Sequence, residues 1–129
     1  MNLNTARLGI AIVGILLPYV VRIPGGSAWV RQYTAAGLGG FLFFEAFNAI
    51  AWGSLIGLSF LIRRPLLLLV PCGLGFGYLA WAHATLDLAA DAQAAIALVF
   101  IPFYALRPIA IGGVVGFVLD RVVPHGGPG

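Results

Sequence analysis

Lysine is absent from this chain, acids number only four, and cysteine and methionine occur once each. Each shortage closes off a class of protein. Charged residues make up 9% of the chain, against roughly 25% in water-soluble domains, which must cover themselves with solvated groups. Cys72, being alone, excludes an intramolecular disulfide, a CxxC redox pair and a cysteine-rich zinc site. Its apolar neighbours mark it as a small buried thiol. His83 and His125 are too few and too scattered for a membrane haem site. No G-x-S-x-G, HExxH, Walker or G-x-G-x-x-G pattern occurs, so hydrolytic and nucleotide-dependent chemistry have no support. No catalytic residue, metal or cofactor is implied.

The net charge of +3 comes entirely from arginine, and the pI is about 9.6. Nucleic acid is not the expected partner. The arginines are singles plus one pair, set at the edges of apolar runs, as topology signals are. A phosphate-binding stripe would cluster them on one face.

What is present is hydrophobic: 61% of residues, with 18 glycines and eight prolines among the 129. Leu38 to Ile62 contains a single charge, Glu45. About 20 apolar residues at 1.5 Å each already cover the ~30 Å hydrocarbon core of a bilayer. Four such segments are expected, at about 5–23, 37–62, 65–85 and 92–119. The predicted fold is an all-α polytopic membrane protein, one four-helix domain over 1–121 followed by a disordered tail over 122–129. The N-terminal run lacks a small-x-small cleavage site and reads as a retained first helix. The pair Arg63-Arg64 before Pro65 is so tight that helices two and three should be antiparallel neighbours. Asp91 is the expected N-cap of the fourth helix.

Four crossings put both termini on the side of Arg63 and Arg64. That side then holds Arg7, Arg63, Arg64 and Arg121 against Arg22 and Arg31, so both termini are expected in the cytoplasm. The implied location is the inner membrane of a bacterium. Arg7 and Arg22 should snorkel toward headgroups. Pro24 to Ala36 reads as a loop whose Trp29 and Tyr33, with Arg63 and Arg64, anchor the interface. Pro102 and Pro108 each remove a backbone donor, predicting a kinked fourth helix.

Gly37, Phe41, Glu45, Asn48, Trp52, Leu55 and Ser59 share one narrow helical face. Lipid does not accept a glutamate and an asparagine, so this face should point toward other helices, a partner or a cavity. Arg107, near the middle of the fourth segment, is the other costly charge and a candidate counter-ion for Glu45. His83 and Asp87, four apart, read as a solvated interfacial pair. Gly53/Gly57, Gly73/Gly77 and Gly112/Gly116 satisfy GxxxG, which lets helix backbones approach closely.

Three families of small four-helix membrane protein do not fit. Small multidrug transporters carry their glutamate in the first helix, which here has no acid. Quinone-linked disulfide-forming enzymes need cysteine pairs. Glutathione-linked membrane enzymes carry an arginine-histidine-asparagine-glutamate pattern that is absent around Glu45. The function expected is a non-enzymatic structural or accessory subunit, assembling with itself or with larger membrane partners. The alternative is an oligomeric proton or ion channel, or a small transporter, built on Glu45, Asn48 and Arg107.

Overall fold

The computed structural model describes residues 1–124 as an all-helical protein. From His125 on, the tail expected to be disordered lies outside the described residues. Five α-helices are present: α1 (Leu3–Val20), α2 (Ser27–Thr34), α3 (Gly37–Leu58), α4 (Leu69–Thr85) and α5 (Ala94–Val122). Extending α1 and α4 by short 3-10 turns gives four helical stretches long and apolar enough to cross a membrane.

Local chemistry sets the ends. Asn2 starts α1, its side-chain oxygen accepting the Thr5 N–H at 2.8 Å. After the turn Ile23–Gly25, Gly26 turns the chain at φ 97°, a left-handed angle that favours glycine, and α2 begins. Helix α3 stops at Leu58, because residues 59–62 tighten into turns with bonds such as Phe60 N–H to Gly57 C=O. Asp91 does not cap α5. It accepts from the Gln93 N–H at 2.8 Å, one step ahead of a helix whose own N-cap is Gln93.

The segment read as the loop Pro24 to Ala36 contains α2, whose eight residues are half polar and carry no long apolar run. Among the four long helices, α4 packs most extensively on α5, α5 also on α3, α3 on α1, and α1 on α4. Helices α3 and α4 barely touch and sit across a diagonal. The expectation that they would be neighbours is thus corrected. Residues 59–68 are turn and 3-10 backbone, long enough to carry the chain across the bundle.

The core between the helices is Ile10, Ala51, Leu55, Leu79, Ala82, Ile101, Ala105 and Ile109. Two close approaches depend on missing side chains. A Cβ on Gly112 would stand 2.5 Å from the Pro71 Cα, and one on Gly75 2.6 Å from the Ile109 side chain. Outside the core, large apolar residues such as Leu8, Leu42, Phe43, Leu74, Ile111 and Val114 point outward, as a lipid-facing surface requires.

Candidate functional site

Polar groups within the bundle fall into three regions, the first two of which adjoin through the Tyr19 and Tyr33 rings. The first is the α1–α3 seam. Pro18 has no N–H, so the Gly14 carbonyl four residues earlier loses its helical partner. Asn48, fully buried, supplies one: its Nδ2 donates to that carbonyl at 2.8 Å. The same Nδ2 lies 3.3 and 3.4 Å from the two oxygens of Glu45. Trp52, one turn further along α3, packs on Gly14, where any Cβ would collide with the indole. Tyr19 completes the seam, edge-on to Phe44 with ring centroids 5.8 Å apart. Among the described residues, three buried atoms here have no hydrogen-bond partner: the Tyr19 hydroxyl, Asn48 Oδ1 and Trp52 Nε1.

The second region closes the end of the bundle where α2 lies. Arg22, 0% exposed, donates from Nε to Trp29 C=O at 2.9 Å, and from one terminal nitrogen to His83 C=O at 2.6 Å and Leu86 C=O at 2.7 Å. Its other terminal nitrogen donates to Gln32 Oε1 at 2.8 Å. The guanidinium also stacks over the rings of Trp29 and Tyr33, 4.3 and 4.0 Å from their centroids. Trp29 Nε1 donates to Ala84 C=O at 2.9 Å. The last carbonyls of α4, which no helix can satisfy internally, are therefore capped by side chains, and Arg22 places its charge at the negative end of the helix dipole. Gln32 Nε2 donates to Asp87 Oδ1 at 2.9 Å, and the Tyr33 hydroxyl pairs with His83 Nδ1 at 2.8 Å. Burial pushes the Tyr33 phenol upward in pKa. His83 Nε2 is buried without a partner.

This arrangement overturns two sequence expectations. Arg22 is buried and does not snorkel. Trp29 and Tyr33, both half-buried, pack their rings on its guanidinium. His83 is enclosed, 0% exposed, and Asp87 bonds to Gln32, so the two do not pair in solvent. The common reason is α2, which folds back over the end of α4 and covers it. No local sequence signal marks this cover, because Arg22 and Gln32 are ten residues apart and Tyr33 and His83 are fifty apart.

At the opposite end, Arg7 Nε donates to Ser59 Oγ at 2.6 Å, so Ser59 belongs to that end and not to a site with Glu45. Asp120, missed in the sequence, is 4% exposed and accepts from the backbone N–H groups of Arg63 and Arg64 at 2.9 and 3.2 Å. Arg64 returns from its side chain to Asp120 at 3.1 Å and to the carbonyls of Leu119, Asp120 and Val123. The arginines Arg7, Arg22 and Arg64 thus cap the C-terminal ends of α3, α4 and α5 respectively.

Arg107 stands apart from these caps. It is the fourteenth of the 29 residues of α5 and it is exposed. Among the described residues its contact is the Tyr104 ring, 5.8 Å from guanidinium to centroid. It does not meet Glu45, which sits on the α1–α3 seam, whereas Tyr104 lies with Tyr78 and Trp81 on the α4–α5 side. The expected Glu45–Arg107 pair is absent within the chain for that reason. Both described salt bridges instead involve Asp120. The glycine pairs also divide. Gly112 and Gly116 meet Pro71 and Leu67, while Gly53, Gly57, Gly73 and Gly77 have nothing within 4 Å of where a Cβ would stand. Within the chain the close approach on this stretch is made by Gly75, between Gly73 and Gly77.

Between the seam and Ser59 the interior is Ala51, Leu55, Leu79, Ala105 and Ile109, each at most 3% exposed. Among the described residues, polar groups do not line a route through this layer. Nor, among them, is any group of three or more His, Cys, Asp or Glu side chains placed to hold a metal. Comparison with family models, with curated proteins and with solved structures finds no match to any of them.

Proposed function

We propose that this protein is a non-enzymatic integral membrane subunit that acts by assembly, receiving a partner helix along the outer face of α5. One observation carries the reading: Arg107 is exposed midway along a spanning helix. An arginine at the centre of a span costs about 2.5–3.5 kcal/mol on insertion scales. Half of α5 is about 20 Å long by helical rise, farther than the side chain extends, so the charge does not reach water easily. A partner presenting a carboxylate, or carbonyls freed by its own irregular helix, removes that cost. Tyr104 and Ile111 flank Arg107 on the same face and are likewise exposed. Gly53, Gly57, Gly73 and Gly77, open to the outside, offer further surfaces for close approach by a second copy or a larger partner.

In this reading both termini are cytoplasmic, the membrane is the inner membrane of a bacterium, and α5 bends at Pro102 and Pro108. The arginine bias of four against two supports the orientation. Purification in mild detergent tests the assembly. Wild-type protein should bring down a stoichiometric second subunit or a second copy of itself, and Arg107→Gln should lose it. A monomer without partners, in both detergent and bilayer discs, overturns the proposal.

A second reading has an observation of its own. The unpartnered Tyr19 hydroxyl, Asn48 Oδ1 and Trp52 Nε1 surround a carboxylate, a setting able to take up and release a proton. An oligomer could then carry protons or ions between chains. Proton flux in reconstituted vesicles, lost in Glu45→Gln, would favour it over the first reading.

A further inference from the structure

A groove of about 810 Å³ opens sideways between α1 and the start of α4. Thr5, Ala6 and Gly9 form one wall, where small side chains leave space, and Leu66, Leu69 and Phe76 form another. Arg64 and Pro65 lie at one end of it. Between residues 66 and 76 the groove follows the chain for about 15 Å by helical rise, one half of the ~30 Å hydrocarbon core. It is therefore one leaflet deep, apolar along its length and polar at its mouth.

The charge around that mouth is unbalanced. Arg7, Arg63, Arg64 and Arg121 gather at this end of the bundle, and Asp120 is the acid among them. Arg63 is exposed. Arg64 uses Nε on Asp120 and one terminal nitrogen on three carbonyls, while its other terminal nitrogen makes one long contact, 3.4 Å to Pro124 C=O. Arg64 lines the mouth of this one-leaflet groove and exposed Arg63 precedes it in the chain, a setting that suits an anion carrying an apolar tail.

We propose that this groove holds an acyl chain of an anionic phospholipid, with the headgroup phosphate at Arg64 and Arg63. The proposal is independent of the α5 partner, which would seat on a different face. A bound lipid here would wedge α1 against α4 at the level of Ile10 and Cys72, two helices that otherwise meet through fewer residues than α4 and α5 do.

Native mass spectrometry of the purified full chain tests this, with phosphatidylglycerol and phosphatidylcholine of identical acyl chains as probes. Wild-type protein should retain one phosphatidylglycerol at least ten-fold more tightly than phosphatidylcholine. Gly9→Leu should fill the groove and weaken that retention about ten-fold, since nothing stands within 4 Å of its Cβ position to disturb the fold. Gly39→Leu, equally open but outside the groove, should retain lipid as wild type does. Arg63→Gln should lower the preference for the anionic headgroup while leaving phosphatidylcholine unchanged. Equal retention of both lipids, or no effect of Gly9→Leu in a chain with unchanged helicity, overturns the proposal as ordinary boundary lipid. Loss of a protein subunit in Gly9→Leu with lipid retention unchanged overturns it in favour of a protein occupant.

Discussion

Asn48 donates to the Gly14 carbonyl at 2.8 Å, and that carbonyl is the one Pro18 leaves without its helical partner. An intramembrane asparagine thus repairs a gap made by a proline on the neighbouring helix. Unpaired backbone groups in the hydrocarbon region cost several kcal/mol, so helices broken by proline need such a repair. Asn48→Leu should therefore destabilise the fold by about 1–3 kcal/mol, read by unfolding in mixed detergent micelles. The cost should shrink in a Pro18→Ala background, where the backbone N–H that the Gly14 carbonyl lacks is restored. Additive effects of the two substitutions would show that the bond is incidental.

Arg22 makes four hydrogen bonds and stacks on two ring faces. Hydrogen bonds to charged groups contribute about 1.5–3 kcal/mol each when removed singly, and leaving carbonyls unpaired adds to that loss. Arg22→Gln should cost at least ~3 kcal/mol and expose α2 to protease. Arg22→Lys should recover little, because a point charge cannot reach both terminal-nitrogen partners and stack flat on Tyr33. Arg31→Gln, on the exposed side of α2, should lie within about 0.5 kcal/mol of wild type.

Tyr33 lies outside the spanning helices, and burial holds its phenol above the ordinary value of about 10. The neutral form is favoured in the folded protein, so the stability it brings is fully present below about pH 10 and is lost as the pH climbs from there through the raised value. An ultraviolet titration should show a tyrosine fraction that fails to ionise where exposed tyrosines do. Tyr33→Phe should diminish that fraction and leave His83 Nδ1 unpaired, at a cost of about 1–3 kcal/mol. If all tyrosines titrate together, Tyr33 is not enclosed in solution.

The glycines allow a comparison at nearly constant chemistry. Gly112→Ala would press a methyl group onto the Pro71 backbone at 2.5 Å and should destabilise by about 1–3 kcal/mol. Gly73→Ala, facing open space, should be neutral or slightly stabilising for an isolated chain, as alanine favours a helix by up to ~1 kcal/mol over glycine. Should Gly73→Ala instead dissociate a native complex, its face belongs to the assembly.

That contrast also marks how far the residues could be read in advance. The four spans were legible because hydropathy summed over about 20 residues is a strong signal; the third falls at 65–85 as expected, and the second, expected to reach 62, ends at Leu58. GxxxG spacing is present equally at Gly73/Gly77 and Gly112/Gly116, but only neighbours in space decide which glycines are pressed. The shared face of Glu45, Asn48 and Trp52 followed from helical periodicity, and it meets α1 at Gly14. Arg22 was misread because arginine at the end of a span usually snorkels, and nothing local reveals that α2 folds over it. Asp120 escaped notice for a related reason. Its acceptors are satisfied by backbone N–H groups at Arg63 and Arg64, more than fifty residues away in sequence.

Asp120 makes the last case. Its carboxylate holds the Arg63 and Arg64 N–H groups, the Arg64 side chain and, at 3.2 Å, Arg121. The turn after α3 is thereby tied to the end of α5, although α3 and α4 themselves hardly touch. Removing the carboxylate leaves the Arg63 and Arg64 N–H groups and the Arg64 guanidinium without their acceptor. Asp120→Leu should suffer that loss and separate the 59–68 connection from α5, seen as faster amide exchange at Arg63 and Arg64. Asp120→Asn keeps one acceptor for the backbone and should lose less, about 1–2 kcal/mol. Arg121→Gln, whose partner stays bound by three other donors, should lose about 0.5 kcal/mol or less. Equal losses in all three variants would mean that charge alone, and not the backbone tie, is what Asp120 contributes.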